Sequence, residues 1–313
     1  MRVLFCGDTF PAARALLHER LPNDELCVWL DRNSLSAAKD VDVLIPMMFR
    51  IDAGVMSSMR PRLIQQWGSG LEGIDLETAR NRGIPVTSVS TSGSNAESVA
   101  EHALLLILAL FRQLPLAQCN ARAGTLGAPL GRMLAGRALC FWGLGQTALS
   151  LARRLRALDV KLLGITRDPR AKKVAEFGLD ACYSPNERGK CLSHTDVLVL
   201  CIRLNNETRG LVDTGVLAEM RRGAYLVNTA RGALIDYHAL YSALCNGRLA
   251  GAGLDVFWEE PMPVEDPLLS LPNVIATPHV AGVTDRSYEE IADAVAANVE
   301  RLRHGEALLN RAV

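Results

Sequence analysis

Three short polar segments stand at the ends of apolar runs, and they carry the side chains best suited to chemistry. Asn228-Thr229-Ala230-Arg231-Gly232 closes and follows the run AYLVN. Asp255-Val256-Phe257-Trp258-Glu259-Glu260-Pro261 follows AGAGL, and Thr277-Pro278-His279-Val280-Ala281-Gly282 follows VIA. Arg231 and Glu260 are 29 residues apart, and Glu260 and His279 are 19 apart. Each gap holds about one secondary-structure step, so the three side chains can converge where open α/β sheets bind ligands, outside the carboxyl ends of strands. A guanidinium offers a planar fork to a carboxylate, and an imidazole beside a carboxylate can move a proton. Singly, each residue has a plain structural reading: a surface ion pair for Arg231, a turn closure for Glu260 before Pro261, a hydrogen-bonded structural role for His279.

A fourth segment gives those groups a partner. From Ala138 to Pro169 the chain reads as strand, glycine turn, helix and strand, a unit of roughly 30 residues. Gly143 permits the tight turn, and Gly145 lets a pyrophosphate approach the backbone. Ala148 holds the third place of the G-x-G-x-x-G/A fingerprint. The helix beginning at Gln146 and Thr147 aims free N–H groups and a positive dipole end at phosphates. NAD sites place an Asp or Glu about 20 residues on, at the end of the second strand. Here Thr166 and Arg167 stand there, 21 residues after Gly145 for the threonine. Threonine does not repel a 2′-phosphate and arginine can grip one, so NADP is expected over NAD. Asp168 keeps NAD open as an alternative, should its carboxylate reach the ribose. Thr229, Ala230 and Gly282, on the strand-end segments, are further cofactor-binding candidates.

These groups need a scaffold, and bulk properties bound it. A chain of 313 residues with 49% hydrophobic residues can build two sizeable α/β cores. Lys plus Arg equals Asp plus Glu at 34 each, so no basic field exists to steer nucleic acid or an anionic membrane. The eight cysteines show no C-x-x-C pairing, which points to reduced core thiols in a cytoplasmic protein and to no metal site. The opening MRVLFCGD reads as a strand that meets Asp8 too early for a signal peptide. The longest unbroken apolar run, 103–111, suits a buried helix and falls short of a membrane span.

Along the chain, strands are expected at 2–6, 26–30, 41–46, 63–67 and 84–89. Helices alternate with them at 12–20, 36–39 and 54–59, and Gly68-Ser69-Gly70 forms a turn with exposed amides. A long helix over 94–113, capped by Ser94 or Asn95 and supported by Glu97, is apolar on nearly every side after His102. It must be buried between domains or against a second subunit. Residues 114–136 read as loop. Beyond the nucleotide unit, strands are expected at 180–183, 196–202, 224–228, 250–256 and 274–276. Helices are expected at 171–177, 185–191, 214–220 and 236–246, with a closing helix over 285–304 packing on the first domain.

Taken together, GLGQTA, LVNTARGALID (226–236), GLDVFWEEP (253–261) and NVIATPHVAG (273–282) resemble the D-isomer-specific 2-hydroxyacid dehydrogenase family. GSGLEGID (68–75) and SNAESVAEHAL (94–104) match more loosely. The resemblance runs over nearly the whole chain. It implies two Rossmann-like domains with doubly wound parallel sheets, the dinucleotide-binding domain (95–284) inserted into the substrate domain (1–94 and 285–313). It implies a homodimer packed through the 94–113 helix. It also implies a hydride transfer between NAD(P)H and a small 2-oxo acid, glyoxylate- or hydroxypyruvate-like, giving the D-2-hydroxy acid. In that reading Arg231 holds the substrate carboxylate and polarises the ketone, and the N–H groups of Ser69 and Gly70 take the other carboxylate oxygen. His279 donates a proton to the ketone oxygen, and Glu260 beside it favours the imidazolium. Asp255 stands where similar proteins hold the nicotinamide carboxamide. Phe49 and Arg50, in the MMFR loop, fall where the family meets the substrate's side chain. Arg203 departs from the family pattern, which carries proline there, and could join Arg167 on a 2′-phosphate. Two other functions fit the same residues: a dinucleotide-sensing corepressor-like interaction protein, and a formate- or phosphite-type dehydrogenase.

Overall fold

The computed structural model describes residues 1–30, 40–89 and 93–313. The helix expected at 36–39 lies outside the described residues. The chain divides into two compact units, Met1–Asn95 with Thr284–Val313, and Ala96–Val283.

The first unit is built on β1 (Arg2–Cys6), α1 (Pro11–Arg20), β2 (Glu25–Trp29), β3 (Val43–Ile45), α2 (Ala53–Met59), β4 (Leu63–Gln65), α3 (Leu76–Asn81) and β5 (Val86–Thr87). Its strands form a parallel sheet in the order β2-β1-β3-β4-β5. The strands inside the edge strand β2 are short and almost wholly buried, VLI in β3 and LIQ in β4, as expected of a parallel sheet covered on both faces. The sequence reading missed α3. Its start is set by Asp75, whose side chain accepts the Thr78 N–H at 2.9 Å and the Thr78 hydroxyl at 2.7 Å. That acceptor satisfies one of the helix's free first-turn donors. The expected strand over 84–89 contracts to two residues, Val86 and Thr87.

The second unit begins within α4 (Ser94–Phe111) and continues through α5 (Leu114–Arg122), β6 (Ala138–Trp142), α6 (Gln146–Leu155), β7 (Lys161–Ile165), α7 (Ala171–Phe177), β8 (Ala181–Tyr183), α8 (Arg188–Leu192) and β9 (Val197–Leu200). It ends with α9 (Thr214–Glu219), β10 (Ala224–Asn228), α10 (Tyr237–Cys245), β11 (Leu249–Leu254) and β12 (Val274–Ala276). The sheet is parallel throughout, in the order β12-β11-β10-β9-β6-β7-β8. Strand order reverses beside β6, whose neighbours are β7 and β9. This is the switch point at which doubly wound sheets open a crevice at their carboxyl edge. The closing helix α11 (Asp285–His304) belongs to the first unit and packs there on α1 and β4.

Helix α5 corrects the expected loop over 114–136. Pro115 sits in its first turn, where a missing N–H costs nothing, and Gln113 in the left-handed region (φ 47°) breaks it from α4. No residue of α5 is buried, so its start lay in turn chemistry that an apolar-periodicity argument does not see. Helix α4 places Ala100, Ala103, Leu106, Ile107, Leu110 and Phe111 in the core of the second unit, while Leu105 and Leu108 face outward. Ser94 and Asn95 lie inside the helix rather than capping it. They bond to α11, Ser94 N–H to Glu290 Oε2 at 3.0 Å and Asn95 Nδ2 to Ser287 Oγ at 3.1 Å. Glu97 reaches α6, accepting from Ser150 Oγ at 2.8 Å and Arg154 Nη1 at 2.5 Å. Cys6, Cys140 and Cys191 are buried thiols, but Cys119 and Cys245 are exposed, so the expected core role does not extend to those two.

Candidate active site

The carboxyl edge of the seven-stranded sheet gathers most of the residues singled out from sequence. Gly143 and Gly145 follow β6, Thr166 and Arg167 follow β7, and Arg203 lies three residues past β9. Thr229 to Arg231 follow β10, Asp255 follows β11, and 277–282 follow β12.

Gly143 has φ +99°, and a Cβ there would stand 2.6 Å from the Cys201 carbonyl oxygen. Only glycine lets β6 turn this tightly beside the end of β9. The turn delivers the chain to Gly145, the N-cap of α6, where no side chain caps the helix and a Cβ would meet nothing within 4 Å. The first amides of α6, at Gln146 and Thr147, thus face an open approach suited to a diphosphate. Ala148 is fully buried, where a larger residue would push α6 off the sheet. At the end of β7, Arg167 is exposed, as is Arg203 past β9. Asp168 is tied up elsewhere: its Oδ2 accepts from Arg170 Nε at 2.8 Å and Nη2 at 2.5 Å. Those hydrogen bonds hold its carboxyl below the usual carboxylate range. The cradle fits a nicotinamide dinucleotide, whose diphosphate Gly143 to Thr147 could meet; Thr166, Arg167 and Arg203 stand at the same sheet edge, past β7 and β9.

His279 and Glu260 form the centre of the other half. His279 Nδ1 lies 2.6 Å from Glu260 Oε2, and the backbone N–H of Phe257 donates to Glu260 Oε1 at 2.8 Å. Both carboxylate oxygens are therefore engaged, which fixes the plane of the carboxylate and the face it shows to the imidazole. Because an ionised carboxylate only accepts, Nδ1 carries the proton and Nε2 is the outward nitrogen. His279 itself sits at φ +53°, a left-handed backbone that costs a non-glycine residue about 1 kcal/mol. Strain of this kind persists only where surrounding bonds over-determine it.

Those bonds come from Asp255, fully buried at the end of β11. Its backbone oxygen accepts the His279 N–H at 2.8 Å, and its carboxylate accepts the N–H groups of Val280 and Ala281, each at 2.9 Å. Thr277 Oγ1 donates to the same carboxylate at 2.6 Å. Arg231 belongs to a turn braced by Asn228, whose side chain donates to the Arg231 carbonyl at 2.8 Å and accepts the Ala230 N–H at 3.0 Å. The guanidinium donates to the Ala230 carbonyl at 2.6 Å. Gly232 carries this turn hard against the segment leading to Glu260: a Cβ at 232 would stand 2.1 Å from the Phe257 carbonyl carbon. Phe257 in turn holds Glu260, so the Arg231, Glu260 and His279 segments interlock through backbone contacts.

Four candidates lie in the first unit. Ser69 is exposed and Gly70 half-buried in the turn after β4. Gln66 braces that turn, donating Nε2 to the carbonyls of Gly70 at 3.0 Å and Met47 at 3.2 Å. Phe49 rests its ring against Trp29, centroids 5.4 Å apart, and Arg50 is exposed. His102, which the sequence reading passed over, enters the Asp255 network from α4, its Nε2 2.8 Å from Thr277 Oγ1 and 3.4 Å from Asp255 Oδ1. Its only sequence signal was its place in mid-helix, as the last polar residue before the apolar run 103–111. Among the described residues no cluster of His, Cys, Asp and Glu is placed to hold a metal ion.

Comparison with known proteins gives this arrangement a lineage. Residues 104–281 match the D-isomer specific 2-hydroxyacid dehydrogenase, NAD binding domain. The glyoxylate reductase of Korarchaeum cryptofilum is 34% identical over 296 residues, covering 90% of this chain and 87% of that protein. The NADPH-dependent glyoxylate/hydroxypyruvate reductase of Sinorhizobium meliloti, solved with NADP and malonate, is 32% identical with a TM-score of 0.85, covering all of this chain and 96% of that one. The D-lactate dehydrogenase of Aquifex aeolicus, solved with NAD and lactic acid, is 27% identical with a TM-score of 0.84, covering 97% of this chain and 96% of that one. The chain belongs to the D-isomer-specific 2-hydroxyacid dehydrogenase family.

Proposed function

We propose that the protein reduces small 2-oxo acids of the glyoxylate or hydroxypyruvate kind to D-2-hydroxy acids with NADPH. The observation that carries this reading is the His279–Glu260 pair, 2.6 Å apart and braced by the Phe257 N–H, interlocked with the turn of Arg231. An ordinary structural histidine does not need a strained backbone and a fully engaged carboxylate to set its ring.

Each residue has a defined task in that chemistry. The bound nicotinamide supplies the hydride that adds to the carbonyl carbon. Arg231 holds the substrate carboxylate and draws electron density from the carbonyl, which favours attack. His279, as the imidazolium, gives its Nε2 proton to the carbonyl oxygen as that oxygen gains charge. Glu260 keeps the Nδ1 proton in place and stabilises the cation before transfer. In the oxidative direction neutral His279 takes the hydroxyl proton. Ser69 and Gly70 are proposed donors to the substrate carboxylate, and Phe49 and Arg50 proposed contacts to its side chain. The unit of 1–94 and 285–313 is then the substrate domain, and 95–284 the cofactor domain.

The preference for NADPH rests on Thr166, Arg167 and Arg203, and on the pairing of Asp168 Oδ2 with Arg170, which competes with a ribose 2′-hydroxyl for that carboxylate. The Korarchaeum and Sinorhizobium relatives, a glyoxylate reductase and an NADPH-dependent glyoxylate/hydroxypyruvate reductase, support the substrate class. The assembly is proposed as a cytoplasmic homodimer. Leu105 and Leu108 on α4, with Leu114 and Leu116 on α5, are exposed apolar groups of the kind a second copy would cover. Sedimentation at two protein concentrations tests the dimer. NADPH oxidation across glyoxylate, hydroxypyruvate, pyruvate and phenylpyruvate tests the reaction. Turnover of none of them, or a clear preference for NADH, overturns the corresponding part of the reading.

A further inference from the structure

The side chain that completes the Asp255 network comes from a helix the catalytic segments do not include. Thr277 has one hydroxyl proton, and at 2.6 Å from the buried Asp255 carboxylate that proton is committed to Oδ1. The Thr277 oxygen can then only accept from His102 Nε2, 2.8 Å away, so His102 is the donor and Nε2 carries its proton. The relay runs His102 to Thr277 to Asp255. From Asp255 it fans out to the N–H groups of Val280 and Ala281 through the carboxylate, and to the N–H of His279 through the backbone oxygen. These bonds clamp both sides of the one residue here whose backbone is held in the left-handed region at φ +53°.

We infer that His102 is a positioning residue for His279, holding the strained 277–281 loop through Thr277 and Asp255 so that the His279 ring meets Glu260. The side chain of His102 is only 13% exposed, and its helix is anchored in the core through Ala103, Leu106 and Ile107. It therefore ties the loop to a fixed element rather than to another loop. Without the donor, Thr277 is free to rotate, Asp255 loses its orienting partner, and the loop can relax towards an ordinary backbone. His279 then points away from Glu260 for part of the time. The inference rests on the proposed proton-donor role of His279, but its structural content is testable without turnover.

The experiment uses the full chain labelled with 15N-histidine. The Nδ1 proton of His279, hydrogen-bonded to Glu260, is assigned by its disappearance in His279→Ala. Expected is a shift or broadening of that resonance in His102→Ala and its recovery in His102→Gln, whose amide keeps a donor. With NADPH and glyoxylate, kcat falls about tenfold in His102→Ala while KM for both substrates stays within about twofold. Thr277→Val gives the same pattern, Thr277→Ser stays near wild type, and His102→Ala adds nothing to Thr277→Val. The Thr277 pair carries the test if His102→Ala does not fold. An unchanged His279 resonance in His102→Ala, full additivity with Thr277→Val, or no recovery in His102→Gln overturns the inference. Absence of wild-type turnover with the resonance responding as expected would instead overturn the proposed reaction and leave the positioning role standing.

Discussion

The two parallel sheets present their carboxyl edges in different ways. In the second unit the polar side chains are locked: Asp255 collects three hydrogen bonds on a fully buried carboxylate, Glu260 uses both oxygens, and Asn228 braces its own turn on two sides. In the first unit the turn after β4 is braced by one half-buried side chain, Gln66, and by the Val89 N–H on the Gly68 carbonyl at 3.0 Å, and it carries an exposed Ser69. One edge is preorganised as the proposed charge and proton transfer require; the other, held by fewer side-chain bonds, is the more adaptable. The contrast suits an enzyme whose chemistry is constant and whose substrate side chain varies, since loops on a rigid scaffold carry specificity.

The largest break in that contrast comes from the locked edge. His279→Ala removes the proposed proton donor and should lower turnover by about a thousandfold or more while NADPH binding, followed by fluorescence titration, changes little. A near-wild-type kcat would take His279 out of the reaction. Gly143→Ala should act on the opposite property. Its Cβ would meet the Cys201 carbonyl at 2.6 Å in a backbone at φ +99°, so the β6 turn must move. Loss of NADPH affinity by about tenfold or more is expected, with a cost of about 2 kcal/mol or more in stability. Wild-type affinity would show that the turn has slack.

Most of the locked edge was legible in the sequence, and the reasons are local. The glycine spacing fixed β6, α6 and β7, and β10, β12 and α11 fall where their apolar patterns end. What escaped was set by single side chains or by tertiary contact. Helix α3 depends on Asp75 as a cap, and α5 on Pro115 and the left-handed Gln113, neither of which leaves an apolar period. His102 escaped because its partners, Thr277 and Asp255, are 175 and 153 positions away and meet it only in the fold. Arg170 was equally opaque, since nothing in TRDPR says that the arginine turns back onto Asp168.

Smaller effects sharpen the comparison on each side. Arg203→Ala should raise the KM for NADPH about tenfold, leave kcat alone and leave NADH kinetics unchanged if this exposed guanidinium meets the 2′-phosphate as proposed, since such a contact contributes binding rather than chemistry. An unchanged NADPH KM would remove it from the 2′-phosphate. On the adaptable edge, Gln66→Ala frees the Gly70 and Met47 carbonyls from their shared donor. A rise of about threefold in the KM for the 2-oxo acid, with cofactor KM unchanged, is the outcome that keeps the first unit in the substrate role. A change in cofactor KM alone would reverse the assignment of the two units.

The smallest effect tests whether the adaptable edge rests on a firm base. Asp24, just ahead of β2, is almost fully buried, and Arg303 of α11 grips its two oxygens at 2.6 and 2.5 Å alongside the Met1 ammonium. Burial works against its charge, but the hydrogen bonds from the ammonium and from Arg303 outweigh it and hold the carboxyl below its ordinary value. A carboxyl depressed by folding stabilises the native state above its unfolded pKa, and the benefit drains away as pH falls through the lower, folded value. The wild type should therefore lose stability on acidification from about pH 4 downward. Asp24→Asn should be less stable by about 2 kcal/mol at pH 7 and lose less on the way down. Denaturant midpoints at pH 7 and pH 3 measure both. Parallel acid losses in the two proteins would mean that the ion pair anchoring α11 beside β2 contributes nothing, and that the first unit draws its rigidity from the apolar faces of α1 and β4 alone.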